Sequence, residues 1–225
     1  MPLPLTVDAV VFDCDGLLVD TEPCWTRAET KIFAEHGHGF GPEQKKFVIG
    51  KTLAAAGTAM ADYFGRPGDG PLLAQHLHEL VAAELAAGAD ALPGARELVL
   101  GLHGRLPIAV ASNSPRPFVD AALTSAGLDN LLTHVISADD VAHPKPAPDM
   151  YRAACALLGA DPARSVAFED SATGVASARA AGMYVIGVPS LPGVTLDVDA
   201  VFTTLADLRL TAWAATEGTP TTLNR

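Results

Sequence analysis

The chain has 225 residues, enough for one large domain or two small ones with a sizeable core. Its 49% apolar and 18% charged residues are the balance of an ordinary globular protein. A net charge of −11 argues against a general nucleic-acid binder, which would present a basic face; it leaves room for a phosphorylated small molecule, because one lysine and a metal can reverse the local sign.

In chain order, Val7 to Phe12 reads as a short buried strand. It opens the stretch DAVVFDCDGLLVDTEPCW, which places Asp13, Asp15 and Asp20 within eight residues. Glu22 to Glu35 has helical spacing, with Trp25, Ala28, Ile32 and Phe33 on one side. HGHGFGPE is a turn-rich break. Thr52 to Phe64 and Pro71 to Ala87 are Ala/Leu-rich and helical, and Pro93-Gly94 opens a further helix to about Leu102. The period then changes. Strands are expected at Pro107–Ala111, Thr133–Ser137, Ser165–Phe168, Tyr184–Val188 and, briefly, Val201-Phe202. Helices are expected between them at Pro115–Ser125, Pro148–Leu158 and Ala172–Ala181. This alternation predicts an α/β fold, a Rossmann-like parallel sheet covered on both faces. The helical stretch after the first strand reads as an insertion. The expected division is a core of 1–20 and 93–215, a helical cap of 21–92 and a loose polar tail of 216–225.

No apolar run reaches the roughly 18 residues of a membrane span, and Met1 to Thr6 shows no basic region or cleavage site. Cys14, Cys24 and Cys155 are odd in number and lack C-x-x-C spacing. A reduced, cytoplasmic chain without disulfides is expected, acting as a monomer and binding neither nucleic acid nor membrane.

In an open parallel sheet, ligands bind beyond the carboxyl ends of the strands. Four strand ends here carry chemistry: Asp13 and Asp15 after the first, Ser112 and Asn113 after the second, Lys145 in the loop after the third, Glu169 and Asp170 after the fourth. Asp13, Glu169 and Asp170 are hard oxygen donors that suit Mg²⁺. Ser112, Asn113 and Lys145 can hold phosphoryl oxygens. An ionised Asp13 could attack phosphorus without a base, and Asp15, across a glycine turn, could protonate the leaving oxygen and then activate water. Two anions at ~4 Å repel by about 4 kcal/mol at an effective dielectric near 20, so such a site needs a cation.

The residues also carry a family resemblance. DCDGLLVDTEP resembles motif I of the haloacid dehalogenase (HAD) superfamily, VASNS its motif II, Lys145 in KPAPD its motif III and FEDSATG its motif IV, in the expected order. The branch it resembles is that of β-phosphoglucomutase and the sugar- and polyol-phosphate phosphatases with a small helical cap. The resemblance implies an Mg²⁺-dependent phosphatase of small phosphorylated metabolites, working through an aspartyl-phosphate. It implies Asp13 as nucleophile and Asp15 as general acid/base. Mg²⁺ would be held by Asp13, the backbone carbonyl of Asp15, and Asp170, with Glu169 direct or through water. Ser112, Asn113 and Lys145 would bind the phosphoryl group, Leu17 to Glu22 would form the hinge, and Glu22 and Lys51 would reach the substrate from the cap.

Trp25 stands where the mutase has a sugar-facing histidine, which favours phosphatase over mutase; Asp15 counts against a dehalogenase. A non-catalytic phosphate-ester sensor would not need Asp15. Glu169-Asp170 could also cap the helix from Ala172. FVIGKT lacks the first glycine of a P-loop, its place being taken by Lys45. The pairs His36/His38 and His76/His78 read as solvated rather than as ligands.

Overall fold

The structure, a computed structural model, describes residues 3–4, 6–190 and 193–216. Strand β1 (Val10–Phe12) is followed by helices α1 (Glu22–Glu35), α2 (Pro42–Val48), α3 (Leu53–Tyr63) and α4 (Gly70–Ala86). Then come α5 (Ala95–Leu102), β2 (Ile108–Ala111), α6 (Arg116–Ser125), β3 (Val135–Ile136), α7 (Asp149–Leu158), β4 (Val166–Glu169), α8 (Ala172–Ala181), β5 (Tyr184–Gly187), β6 (Ala200–Val201) and α9 (Leu208–Thr216). The strands make one six-stranded parallel sheet in the order β3-β2-β1-β4-β5-β6. This is the expected α/β architecture, a Rossmann-like core with a small all-helical cap inserted after the first strand.

The strands are short and buried on both faces, as a covered parallel sheet requires. Val10, Phe12, Val110, Val166 and Phe168 pack on the side of α5, α6 and α9, where Phe12 and Phe168 stack at 5.1 Å. Val11, Ala109, Ala111, Ala167 and Val185 face α7 and α8. The first of these clusters runs on without a break through Leu17, Leu18 and Val19 into the cap residues Ile32, Phe33, Met60 and Leu77. The two chain crossings between sheet and cap are paired: Asp20 N donates to Asp90 O at 2.8 Å and Leu92 N to Leu18 O at 2.9 Å. The proposed division at 21–92 runs through this pairing.

Two helices lie outside the sequence reading. Helix α2 begins in the last two residues of the turn-rich break and continues through residues 44–48, for which no element was expected; Gln44 Oε1 accepts from Gly41 N at 3.1 Å and fastens its first turn. Seven residues are too few to show a helical period. Helix α9 packs Leu210, Trp213 and Ala214 on the core, with Trp213 Nε1 donating to Pro4 O at 2.8 Å. Of the expected loose tail, residues 217–225 lie outside the described residues, and Thr216 closes α9.

Candidate active site

The sheet order changes direction at β1: the chain builds β2 and β3 on one side and then crosses to β4, β5 and β6 on the other. The register sets Phe12 between Val110 and Phe168. The next residues, Asp13 on β1, Ala111-Ser112 on β2 and Glu169-Asp170 on β4, therefore leave the sheet side by side at a topological switch point, where open α/β sheets bind their ligands.

Lys145 enters from the loop before α7. Its Nζ donates to Asp13 Oδ1 and to Glu169 Oε1, each at 2.6 Å, and its side chain is 3% exposed. Tyr151, fully buried on α7, donates its hydroxyl to the same Glu169 oxygen at 2.5 Å. Asn113 was expected to hold phosphoryl oxygens, but its side-chain amide has other partners. Oδ1 accepts from Lys145 N at 2.9 Å, while Nδ2 reaches Lys145 O and the cap's Gly50 O, each at 3.1 Å. Asn113 thus pins the Lys145 loop and the cap loop together. Its backbone N–H has no acceptor among the described residues and is the group it can offer a ligand.

Glu169 is completely buried. It fits because residue 174 is glycine: a Cβ there would sit 1.8 Å from Glu169 Oε1. Asp170 owes its place to Gly16, whose φ of +79° favours glycine and where a Cβ would come within 2.6 Å of Asp170 Oδ2. The cap of α8 belongs to neither acid. Ser171 Oγ accepts from Gly174 N at 3.1 Å, while Glu169 Oε2 accepts from Asp170 N and from Ser171 Oγ, each at 3.2 Å, so that Glu169 Oε1 is the oxygen turned to Lys145.

Oxygens of Asp13, Glu169 and Asp170 gather within 4.8 Å of one another. Burial pushes the Asp13 carboxyl well above its usual range; Lys145 opposes this, and the carboxylates of Glu169, Asp170 and Asp15 add to it. Asp170 is pushed up to about 8, by burial first and by Glu169 second. At Lys145 burial works against the charge, but Asp13 and Glu169 outweigh it and hold the ammonium protonated. Three buried carboxylates around one ammonium lack positive charge. Their donors are hard oxygens, and Gly16 leaves Asp170 Oδ2 the space that a Cβ would take. The set fits a small hard divalent cation such as Mg²⁺.

Asp15 was expected both as a metal residue and as acid/base. Its carboxylate lies outside that gathering. Oδ1 accepts from Thr21 Oγ1 at 2.7 Å, and Oδ2 accepts from Ser112 Oγ at 2.9 Å and Ser114 Oγ at 2.8 Å. The carboxylates that gather are those of Asp13, Glu169 and Asp170 alone among the described residues. Between the two aspartates, the Cys14 thiol is fully buried and pushed well up by burial and then by Asp15 and Asp13, so it stays inert.

These residues open on a cavity of about 610 Å³, counted with its mouth, between sheet and cap. Asp13, Asp15, Ser112, Asn113, Lys145 and Asp170 form its floor; Glu169 lies behind them. From the cap, Glu22 and Lys51 line it, Lys51 exposed at the rim. Trp25 lines it too, while its edge packs on Phe118 at 6.1 Å. The histidine pairs lie elsewhere: His36 and His38 stack on Phe64, His76 pairs with Glu35 at 2.7 Å and His78 stacks on Phe118.

Sequence reasoning passed over Ser114, Thr21 and Tyr151. Ser114 had a signal, because VASNS offers a second hydroxyl two residues after Ser112. It also passed over Lys45 and Glu29, whose pairing across two helices leaves no trace in the linear order.

The profile of the haloacid dehalogenase-like hydrolases matches residues 7–182. The chain belongs to this family. It is 33% identical over 196 residues to hexitol phosphatase B of Escherichia coli, covering 84% of this chain and 87% of that one. It is 31% identical to the bifunctional riboflavin kinase/FMN phosphatase of Arabidopsis thaliana over 91% of its own length, and spans 55% of that longer protein. The crystal structure of CbbY from Rhodobacter sphaeroides in complex with phosphate superposes with a TM-score of 0.77 at 26% identity, over 90% of this chain and 96% of that one. With its family and these phosphatases together, the HAD hydrolase described here is a phosphoric monoester hydrolase. No helix among its described residues is long and apolar enough to cross a membrane.

Proposed function

We propose that this HAD hydrolase is an Mg²⁺-dependent phosphatase of a sugar or polyol phosphate, working through an aspartyl-phosphate on Asp13. The observation that carries the reading is Asp13 at the end of the central strand, with Lys145 Nζ at 2.6 Å and the oxygens of Glu169 and Asp170 within 4.8 Å. Similarity to hexitol phosphatase B supports the substrate class.

The phosphoryl group enters over Asp13, held by Lys145, the Ser112 hydroxyl and the Asn113 N–H. A carboxylate oxygen of Asp13 forms a bond to phosphorus as the bond to the leaving oxygen breaks, and Asp15 gives that oxygen its proton. Asp15 then takes a proton from water; the water oxygen bonds to phosphorus, Asp13 is released and inorganic phosphate leaves. In the present arrangement the hydroxyls of Ser112 and Ser114 donate to Asp15. A phosphoryl oxygen that draws the Ser112 hydroxyl to itself loosens Asp15 for this role. Mg²⁺, held by Asp13 and Asp170 with Glu169 behind, would supply the positive charge that lets two anions meet. Three unpaired, buried cysteines suit the reducing cytoplasm in which we place the protein.

The test is phosphate release from hexitol and hexose phosphates with Mg²⁺, and again with excess chelator. Release that chelation abolishes and Mg²⁺ restores is expected. Undiminished release in chelator overturns the metal reading. Conversion of one sugar phosphate isomer to another without inorganic phosphate turns the assignment to a mutase.

A further inference from the structure

Opposite the carboxylates of the floor, the cap holds a second buried charge cluster. Lys45, on α2, points between two residues of α1: its Nζ lies 2.8 Å from Glu22 Oε2 and 2.8 Å from Glu29 Oε2. The side chains of Lys45 and Glu29 are 11% and 3% exposed. Glu22, at the edge of the cluster, is 26% exposed. Burying even two charged groups within a small helical unit is costly, and packing does not require it. All three line the same cavity as Asp13 and Lys145. The second oxygen of Glu29 has no partner among the described residues, where no fully buried side-chain oxygen is left unpaired, so this oxygen opens on the cavity. Two of the three ammonium protons of Lys45 are directed at carboxylates; the third remains for a ligand.

We infer that Glu22, Lys45 and Glu29 form the specificity site for the leaving group, and that they select a neutral, polyhydroxylated chain over an anionic or an apolar one. The inference rests on the phosphatase reading of the floor. Its logic is hydrogen-bond inventory. A carboxylate only accepts and an ammonium only donates, whereas a hydroxyl does both. A run of hydroxyls can therefore satisfy the free oxygens of both glutamates and the remaining Lys45 proton at once. An apolar chain would cover these groups and leave them unpaired in a dry cavity. A second phosphate or a carboxylate would find the ammonium already neutralised and two carboxylates beside it. Burial pushes Glu29 up to about 7 although Lys45 opposes it, since one ammonium shared between two carboxylates compensates each only in part. A hydroxyl donor from the substrate is what this carboxylate lacks.

The experiment compares kcat/KM on p-nitrophenyl phosphate, glucitol 6-phosphate, n-hexyl phosphate and glucitol 1,6-bisphosphate with saturating Mg²⁺. The wild type should prefer glucitol 6-phosphate over hexyl phosphate by about a thousandfold or more, because a site built to bind hydroxyls rejects an analogue that lacks them. It should prefer the monophosphate over the bisphosphate by about tenfold or more. Glu29→Gln keeps the shape and removes a charge; it should shrink the monophosphate/bisphosphate ratio by about tenfold. Lys45→Met, checked for folding by its thermal transition, should shrink the glucitol/hexyl ratio. If Lys45→Met does not fold, Lys45→Gln replaces it. Aryl phosphate hydrolysed, but both ratios near one in the wild type or unmoved in the variants, overturns the inference alone. No hydrolysis of any ester overturns the phosphatase reading with it.

Discussion

Two buried lysines in this protein stand between pairs of carboxylates, and the two arrangements differ in one way that decides their use. Lys145 bridges Asp13 and Glu169 at 2.6 Å each; Lys45 bridges Glu22 and Glu29 at 2.8 Å each. In the core a third carboxylate, Asp170, joins the gathering. In the cap none does. The core cluster thus carries an excess of negative charge that raises the carboxyls of Asp13 and Asp170 and that a bound cation would answer. Its carboxylates stand at the ends of β1 and β4, which pair in register, and Lys145 reaches them from the loop before α7. The cap cluster, two carboxylates on one ammonium, carries a smaller excess and rides on two helices, one of them only seven residues long. A fixed charge excess serves phosphoryl chemistry, which needs a metal and a nucleophile in one place. A cluster of smaller excess with spare donors and acceptors serves recognition.

Mutation should separate the two clusters, and the largest effect belongs to the core. Asp13→Asn should reduce kcat by about a thousandfold or more while the protein still folds, since the variant loses the proposed nucleophile but keeps a similar shape. Steady-state rates and a thermal transition check this together. A tenth of wild-type activity in purified Asp13→Asn would mean that the attack comes from elsewhere.

Gly174→Ala comes next. Its methyl would collide with the Glu169 carboxylate, so Glu169 must move away from Lys145. A loss of about a hundredfold in kcat is expected, with a weaker apparent affinity for Mg²⁺ from activity titrations. Ordinary kinetics in this variant would show that Glu169 has no part in the site.

Tyr151→Phe deletes one donor to Glu169 and nothing else. About 1–3 kcal/mol of stability should go, with about a tenfold fall in kcat, as read by denaturant unfolding and by rates.

In the cap the effects should be smaller and of another kind. Folding raises the Glu29 carboxyl from 4.5 to about 7, by burial first. Between those values the folded state binds more protons than the unfolded one, so Glu29 withdraws stability as pH rises through 7, by up to about 3 kcal/mol. Glu29→Gln cannot ionise. Its Tm relative to wild type should therefore climb from pH 5 to pH 8, by roughly 5 °C. A pH-independent difference would place the Glu29 carboxyl in its ordinary range.

Lys51→Ala should do least. Lys51 is exposed at the cavity rim and forms no ion pair among the described residues. A fall of at most about tenfold in kcat/KM on the best metabolite is expected, or about 1.4 kcal/mol. A larger loss would move leaving-group recognition from Glu22, Lys45 and Glu29 to the rim.

The linear order of the chain was enough to determine the α/β class and the place of the inserted helices. It also grouped the floor residues, because short apolar strands that each end in a polar residue can be read one at a time. Asp13, Ser112, Lys145 and Asp170 carry their message in their immediate neighbours. Only the tertiary structure decided that Asn113 holds the Lys145 loop with its amide, that Ser171 rather than an acid caps α8, and that Asp15 rests on Ser112, Ser114 and Thr21. It alone brought Lys45 to Glu29, 16 residues away on another helix. Hydrogen bonds between side chains depend on distances of a few ångströms between elements that the sequence orders but does not pack. A strand end shows which residue leaves the sheet; what that residue touches is set by the helices that close over it.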